Sequence, residues 1–433
     1  MDARGRVLAE RWTPLFREAG TISLPLDPAA RSVVLDPRYV VPTVRRAEDR
    51  RRLHGLLRTW NPLRIQPLAS LERWDRTTLT WAPLVGANTS DKFMAGLYLT
   101  NSSLVQRRVR FQLAPLYSFA RNEVNGYGDV AYSVFGSGLL AETVTGVRVA
   151  RFQEYLKLEA SLLMRLRAAS VPALRQTAQV GITLITRDAA SLPAGSERGD
   201  GAVRWGRYEA RLGNAIHNLT FTARLENFYG EHLTERLGPI TRFDAANIAK
   251  LALRYERFYS KHKAVSLRLF GGRILGRPQD YFYLGLSGSP DYLRETIFLD
   301  RSRISRALQS GPRQTDDRDG GFHAWLPVFS NRWLGSASLE AQLPKGPFSL
   351  YADLGAAQSS LSATVAGPWS TYYGAGVAAS LLGGTLRVYL PVAGSNYAQD
   401  KPATWGEFTS NIRFALHLEN LLPERQLRNV LEK

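Results

Sequence analysis

The feature that most constrains this chain is an alternation of apolar and polar residues that recurs in runs of about 8 to 12 residues. In residues 108–119 the apolar positions are Val109, Phe111, Leu113, Tyr117 and Phe119, and the polar positions are Arg108, Arg110, Gln112 and Ser118. Successive side chains of a β-strand point to opposite faces. A period of two therefore predicts a strand with one apolar and one polar face.

The same pattern returns along the chain. Leucine, isoleucine, valine and phenylalanine alternate with charged, hydroxyl or small residues in 156–166, 219–226, 265–269 and 412–419. Most of these runs, at about 8 to 12 residues, are longer than the mean soluble strand of about 5 to 6 residues. Their length is typical of strands that cross a membrane, which need about 9 to 11 residues.

Turn-forming residues of unequal spacing separate the runs. Glycine and asparagine predict short connections at 123–128 and 382–384. The segments 189–201 and 281–321 are predicted to be long connections. Barrels combine tight turns at one end with longer loops at the other, and bacterial single-chain barrels have an even number of strands. We expect about 16 strands, with the long 281–321 connection outside the cell or folded into the pore.

These patterns predict an all-β fold, a transmembrane antiparallel β-barrel over residues 62–433 that follows an N-terminal leader or linker over residues 1–61. Aromatic residues, at 10% of the chain, fit the rings that line both membrane interfaces of such barrels. A large soluble β-sandwich would also show alternating apolar and polar residues along its strands. It would not explain so many long strands with arginine and lysine on one side and leucine and phenylalanine on the other.

The leader differs from the rest. Its basic segment 45–60 is expected to be helical or irregular, after a short extended run at 33–35. Residues 1–24 hold charges where the apolar region of a signal peptide would lie, so an export signal must have been removed or lie outside this sequence. No run approaches the roughly 18 to 20 consecutive apolar residues of a spanning helix.

Charge and cysteine content narrow the function classes. The formal net charge is +18, and the basic residues are spread along the strands rather than gathered in one arm, which disfavours nucleic acid as a partner. In a barrel these arginines would line a polar lumen or bind phosphates of the outer leaflet. The chain has no cysteine, which excludes disulfides, thiolate metal sites and cysteine nucleophiles.

No motif points to catalysis. A catalytic zinc site typically uses an H-E-x-x-H helix turn, and the nearest approach here is Glu231, His232 and Glu235. Those three read as surface-loop residues. Nucleophile elbows and Walker-type phosphate loops do not occur, and Asp316, Asp317 and Asp319 lack the spacing of a calcium loop. We therefore expect no catalytic, cofactor-binding or metal-binding residues.

Short segments carry a family resemblance. The run 83–97, PLVGANTSDKFMAGL, is similar to the start of the C-terminal barrel-like region found on some large zinc aminopeptidases of Gram-negative bacteria, the gluzincin family that includes aminopeptidase N. Later landmarks of that region are resembled, in the same order, by 285–288, 291–293, 298–299, 319–322 and 350–355. Upstream, 34–37 resembles the strand that closes the peptidase portion, whereas 45–50 departs from it.

The resemblance covers residues 34–423 and implies a barrel appended to a peptidase. It transfers no catalysis, because the zinc-binding motif of that family has no matching positions here. The chain is then either a stand-alone barrel of that lineage or the tail of a gene with its peptidase half upstream.

The leading hypothesis is a non-catalytic barrel in the bacterial outer membrane that anchors, or forms a conduit for, an envelope peptidase or its substrates. Its expected partners are outer-membrane lipid, lipopolysaccharide and an envelope metallopeptidase. A general porin or a translocation and assembly barrel is one alternative. A soluble β-rich carbohydrate-binding or hydrolytic protein is the other.

The alternation also assigns faces. We expect Arg110, Arg224, Arg268 and Arg413 to face the lumen. The residues expected to face lipid are Val109, Phe111, Leu113, Leu219, Phe221, Leu267, Leu269, Ile412, Phe414 and Leu416. Arginine at Leu267 should then be costly, and Arg268→Gln mild.

Overall fold

The computed structural model describes residues 1–2, 6–12, 21–24, 27–36, 40, 49–54, 63–67, 76–88, 91–101, 108–136, 138–152, 155–167, 171, 173–187, 200–230, 246–260, 263–276, 283–288, 313–314, 319–323, 326, 328–358, 369–395 and 412–416. The strands, in chain order, are β1 Ser32–Val34, β2 Arg50–Arg52, β3 Leu63–Pro67, β4 Thr77–Asn88, β5 Lys92–Thr100, β6 Val109–Ser118, β7 Glu123–Phe135, β8 Leu140–Phe152, β9 Tyr155–Arg167, β10 Leu174–Arg187, β11 Asp200–Gly213, β12 His217–Gly230, β13 Ala246–Ser260, β14 Lys263–Leu275, β15 Leu284–Gly285, β16 Arg313–Gln314, β17 Phe329–Ser330, β18 Trp333–Gln342, β19 Phe348–Gln358, β20 Ser370–Leu381, β21 Leu386–Gly394 and β22 Arg413–Leu416.

One large sheet contains most of these strands. Within the described residues, β4 to β14 and β18 to β22 form an antiparallel meander of 16 strands, in which β14 pairs directly with β18. Strand β3 adds in parallel to β4, and the two-residue β16 adds in parallel to β22. Residue-level registers connect the neighbours along the meander. No residue pairing joins β22 to β3 in the described part of the chain, so the sheet is not closed there.

The register separates two faces. On β19 the side chains alternate between exposed and buried along almost the whole strand, and each pairing carries the alternation to the next strand. The face that we call the apolar face presents exposed side chains from successive strands, among them Leu113, Val130, Val147, Leu158, Val180, Leu225, Leu251, Leu269, Leu339 and Leu354. The opposite face, the polar face, holds most of the charged residues of these strands, whereas Arg204, Arg257 and Arg273 lie toward strand ends on the apolar face.

The long connections all lie at one end of the sheet. Because the strands alternate in direction, the five longest connections of the meander, 188–199, 231–245, 276–332, 359–369 and 395–412, join strands at the same end. The opposite end has the connections 101–108, 136–139, 168–173, 214–216, 261–262, 343–347 and 382–385. The sheet therefore has a long-connection end and a short-connection end.

Aromatic rings on the apolar face cluster near both ends. At the long-connection end Phe93 stacks on Phe119 with ring centroids 5.9 Å apart, and Trp333 lies 6.4 Å from Trp369. At the short-connection end the His217 ring stacks on Tyr255 at 5.9 Å, and the His217 Nδ1 lies 2.7 Å from the Tyr255 hydroxyl. In the part of the chain that the structure describes, no helix has the length and apolar character needed to cross a membrane.

Two sequence-based expectations were wrong. Residues 123–128 are the beginning of β7 rather than a turn, and the chain reverses just before them, where Asn122 has a φ of 54°. Gly126 is needed inside the strand, because its φ is 127° and a Cβ would lie 1.9 Å from the Ala114 carbonyl oxygen. In the leader, Arg50–Arg52 forms a strand instead of a helix or an irregular segment, because it pairs with the extended run Ser32–Val34.

Other expectations were confirmed. The short connection at 382–384 is a 3₁₀ turn between β20 and β21. The alternating runs at 108–119, 156–166, 219–226 and 265–269 became β6, β9, β12 and β14.

Candidate functional site

The polar face carries a folded segment from the connection between β14 and β18. We call its described residues, 283–288, 319–323, 326 and 328–332, the insert. Its strands β15 and β17 pair with each other, and its two halves are joined by backbone bonds. The Gly320 amide donates to the Gly285 carbonyl at 3.0 Å, and the Phe322 amide donates to the Leu286 carbonyl at 2.9 Å.

Apolar side chains dock the insert on the sheet. Four side chains of the insert are fully buried: Leu284, Leu286, Phe322 and Val328. They form a cluster with residues of the sheet on β11 to β14, β18 and β19, which are Val203, Trp205, Phe228, Ala246, Ile248, Phe270, Ile274, Leu334 and Ala357. Glycines of the sheet leave space for the side chains of the insert. A Cβ at Gly355 would lie 2.7 Å from Leu286 and 2.9 Å from the Phe322 ring, and a Cβ at Gly272 would lie 2.8 Å from Leu284.

An acidic residue of the insert anchors the insert to basic residues of the sheet. Asp319 forms an ion pair with the β13 lysine, Lys250, at 2.7 Å, and both side chains are largely buried. Arg268 of β14 donates to the Asp319 carbonyl at 2.6 Å. Lys250 also lies 3.9 Å from Glu226, which pairs with Arg224 at 2.6 Å. A buried charge is tolerated only when it is paired, so this network defines where the insert sits.

A histidine forms the second anchor. The backbone amide of His323 donates to Asp353 Oδ2 at 2.8 Å, and its Nδ1 lies 2.8 Å from Asp353 Oδ1. The His323 ring packs between Tyr351 and Tyr389, with centroids 4.8 and 5.0 Å away. The carboxylate therefore holds both the backbone and the ring of one insert residue.

Glu340 extends this anchor across the sheet. It accepts from Ser349 Oγ at 2.7 Å and from Arg387 at 2.5 Å, and its Oε2 lies 3.9 Å from the His323 Nε2. The chain thus places a carboxylate, a hydroxyl, a guanidinium and an imidazole from four separate segments within one network.

All four arginines expected in the lumen lie on the polar face, as the continuous register shows. Three contact the insert or its anchoring network: Arg268 and Arg224 as described, and Arg413, which donates to the carbonyls of Phe322 at 3.3 Å and Ser287 at 3.4 Å. Arg110 stands apart on β6, where it donates to Ser133 Oγ at 3.4 Å. Of the residues expected to face lipid, the register places Val109, Phe111, Leu113, Leu219, Phe221, Leu267, Leu269 and Phe414 on the apolar face.

The sequence reasoning missed the residues that hold the insert. Lys250, Glu340 and Asp353 lie on β13, β18 and β19, and the sequence patterns assigned them neither a face nor a partner. Their partners Asp319 and His323 are distant in the sequence. A carboxylate such as Asp353, inside the otherwise apolar run 350–355, is the signal that could have pointed to a buried ion pair.

No group of three histidine, cysteine or carboxylate side chains among the described residues is arranged to hold a metal ion. The Glu231, His232 and Glu235 group lies outside the described residues, as do Asp316 and Asp317.

Together, these observations define an all-β protein whose amphipathic antiparallel sheet holds an anchored insert on its polar face. The chain matches no protein-family model and no curated protein sequence. Among solved structures it is similar to CdiB from Acinetobacter baumannii, with a TM-score of 0.38, 10% identity and coverage of 73% of this chain and 56% of that one. It is also similar to the copper transporter OprC, with a TM-score of 0.33, 14% identity and coverage of 72% and 53%. The chain spans about half the length of these two proteins.

Proposed function

We propose that this chain is a β-barrel of the bacterial outer membrane that passes solutes or polypeptide across it, with the insert lying in the lumen. The observation that carries the proposal is the continuous register, which puts exposed apolar side chains on one face of the antiparallel meander and most of the charged residues on the other. Water would penalise such an apolar face, and a lipid bilayer would not.

Three further features support this environment. The aromatic pairs near both strand ends match the interfacial girdles of transmembrane barrels. The long connections at one end match the extracellular side of such barrels, and the short ones match the periplasmic side. The ion pairs that hold the insert are then on the inner face, where a barrel keeps its polar residues.

The first test is the folded state in detergent. The purified full chain is expected to give a β-type circular dichroism spectrum and to migrate differently on unheated and heated gels, because a closed barrel has no free edge from which to unzip. Cell fractionation with and without detergent separates this reading from a soluble β-rich carbohydrate-binding or hydrolytic protein. A chain that remains in the aqueous fraction, with no change in migration on heating, contradicts the proposal.

A narrower form of the proposal assigns the barrel to an envelope peptidase, as an anchor or conduit. The sequence resemblance is its only support. Its test is co-purification from detergent-solubilised envelopes of a metallopeptidase that bears the H-E-x-x-H motif. A general porin would be recovered without such a partner.

In either form, we expect the chain by itself to hydrolyse no peptide and to hold no stoichiometric zinc. Metal-assisted hydrolysis needs about three protein ligands and a general base in one pocket. Aminopeptidase assays with and without added zinc, together with metal analysis of the purified protein, test this. Activity that disappears in a His232→Ala variant would show that the 231–235 segment is a catalytic site.

A further inference from the structure

A row of arginines crosses six neighbouring strands of the sheet. The cross-strand partners run from β9 to β14 in the order Arg167, Arg175, Arg211, Thr220, Arg254 and Arg268. We call these six positions the arginine row. All of them belong to the polar face, since direct partners in a sheet share a face.

This arrangement concentrates positive charge. Directly opposed residues of antiparallel strands have Cα atoms about 4.5 to 5.5 Å apart, and like charges at such positions destabilise a sheet. Arg167, Arg175 and Arg211 occupy three consecutive strands in this way. Repulsion between these like charges falls when an anion binds to them, so such a row is typical of an anion-binding site.

Two arginines of the row form ion pairs with carboxylates of their own strands. Arg211 Nε lies 2.6 Å from Glu209 Oε1, and Arg254 Nη2 lies 2.9 Å from Glu256 Oε1. The two arginine side chains nevertheless stay 60% and 45% exposed. A guanidinium has five N–H donors, so each retains donors that can reach a ligand.

The row also has a direction. Arg167 is the last residue of β9 and Arg175 the second of β10, so both lie at the short-connection end. Arg268 is in the middle of β14, where it donates to the Asp319 carbonyl of the insert. The arginine row therefore leads from the short-connection end to the insert.

We infer that the arginine row binds solutes with several oxyanion groups, such as phosphates or carboxylates, as they approach the insert. Guanidinium groups bind oxyanions with paired hydrogen bonds, and arginine or lysine rings give pores selectivity for anions and phosphate. The inference deepens the proposed function, on which it rests for the passage itself. Binding of the anion does not depend on transport and is measured separately.

The test is isothermal titration of inorganic tripolyphosphate into the full chain folded in detergent. The double variant Arg175→Gln/Arg211→Gln is expected to weaken binding by about tenfold or more, because two charged donors are lost. Arg148→Gln is the matched control. It removes an exposed arginine of the same face that lies outside the row, over the Tyr127 ring, and should change binding by less than about threefold.

Citrate, titrated under the same conditions, separates the two sources of oxyanions. Weaker binding of citrate in the double variant places carboxylates in the ligand class, and unaltered citrate binding restricts the row to phosphates. If the double variant and Arg148→Gln weaken tripolyphosphate binding equally, or if the unsubstituted chain does not bind tripolyphosphate, the arginine row is not a recognition site.

Conductance measured in planar bilayers distinguishes failure of this inference from failure of the proposed function. A chain that inserts and conducts but shows no row-dependent binding overturns the inference alone. A chain that never inserts, whatever it binds, overturns the proposed function.

Discussion

Arginine in place of Leu267 is expected to destabilise the folded chain in lipid by about 2 to 4 kcal/mol if the site lies near the bilayer midplane. Leu267 is on the apolar face of β14, 37% exposed, with Tyr255 and Leu339 as cross-strand partners. A charged side chain there would have to leave the hydrocarbon or draw water into it. Equilibrium unfolding by urea or guanidinium in lipid vesicles measures the cost.

Ser266→Arg is the matched control, one residue away on the opposite face. Its cross-strand partners are Glu256 and Glu340, so an added arginine meets two carboxylates and should cost less than about 1 kcal/mol. If the face of Leu267 is exposed to water instead of lipid, both substitutions will be mild. Equal costs at the two positions therefore contradict the membrane assignment.

The structure changes one expectation at the neighbouring position. The alternation alone predicts that Arg268→Gln is mild, but Arg268 donates to the insert at Asp319 and lies over the Phe270 ring at 5.5 Å. Loss of a hydrogen bond from a charged donor costs about 1.5 to 3 kcal/mol. Arg268 is thus a poor neutral control, for a reason that no local pattern contains.

Phe322→Ala is expected to cost about 3 to 5 kcal/mol of stability, the range for a large aromatic removed from a packed core. Phe322 is fully buried at the centre of the insert, against Gly355 and Leu286, and its carbonyl accepts from Arg413. The cavity left by the ring would loosen the insert from the sheet. Denaturant unfolding measures the total cost, and hydrogen exchange at 284–288 and 319–323 locates it.

Phe348→Ala serves as the comparison for the same chemical change. Phe348 begins β19 on the apolar face and is 48% exposed, so its ring loses fewer protein contacts when it is removed. A smaller cost at Phe348 and faster exchange in the insert of the Phe322 variant are both expected. If Phe322→Ala unfolds as the unsubstituted chain does, the insert is not part of the stable core.

The strands were predictable because their signal is local. Each run such as Val109 to Leu113 alternates within itself, and the period of two requires no knowledge of partners. Local signals also explain the error at 123–128. Asparagine and glycine there favour a turn, but Gly126 instead allows β7 to run against the Ala114 carbonyl on its neighbour, a contact that exists only after the strands pair.

The sequence by itself determined the strands, their two faces and the placement of Arg110, Arg224, Arg268 and Arg413 on the polar one, because side-chain direction follows from backbone geometry residue by residue. Only the tertiary structure decided what those side chains meet. Asp319 forms an ion pair with Lys250, and Asp353 contacts the His323 ring. Arg167, Arg175 and Arg211 are aligned across three strands. Each of these contacts joins positions from different strands or loops. These contacts depend on register and on the path of the insert, and both are set by pairing between segments that are distant in the sequence.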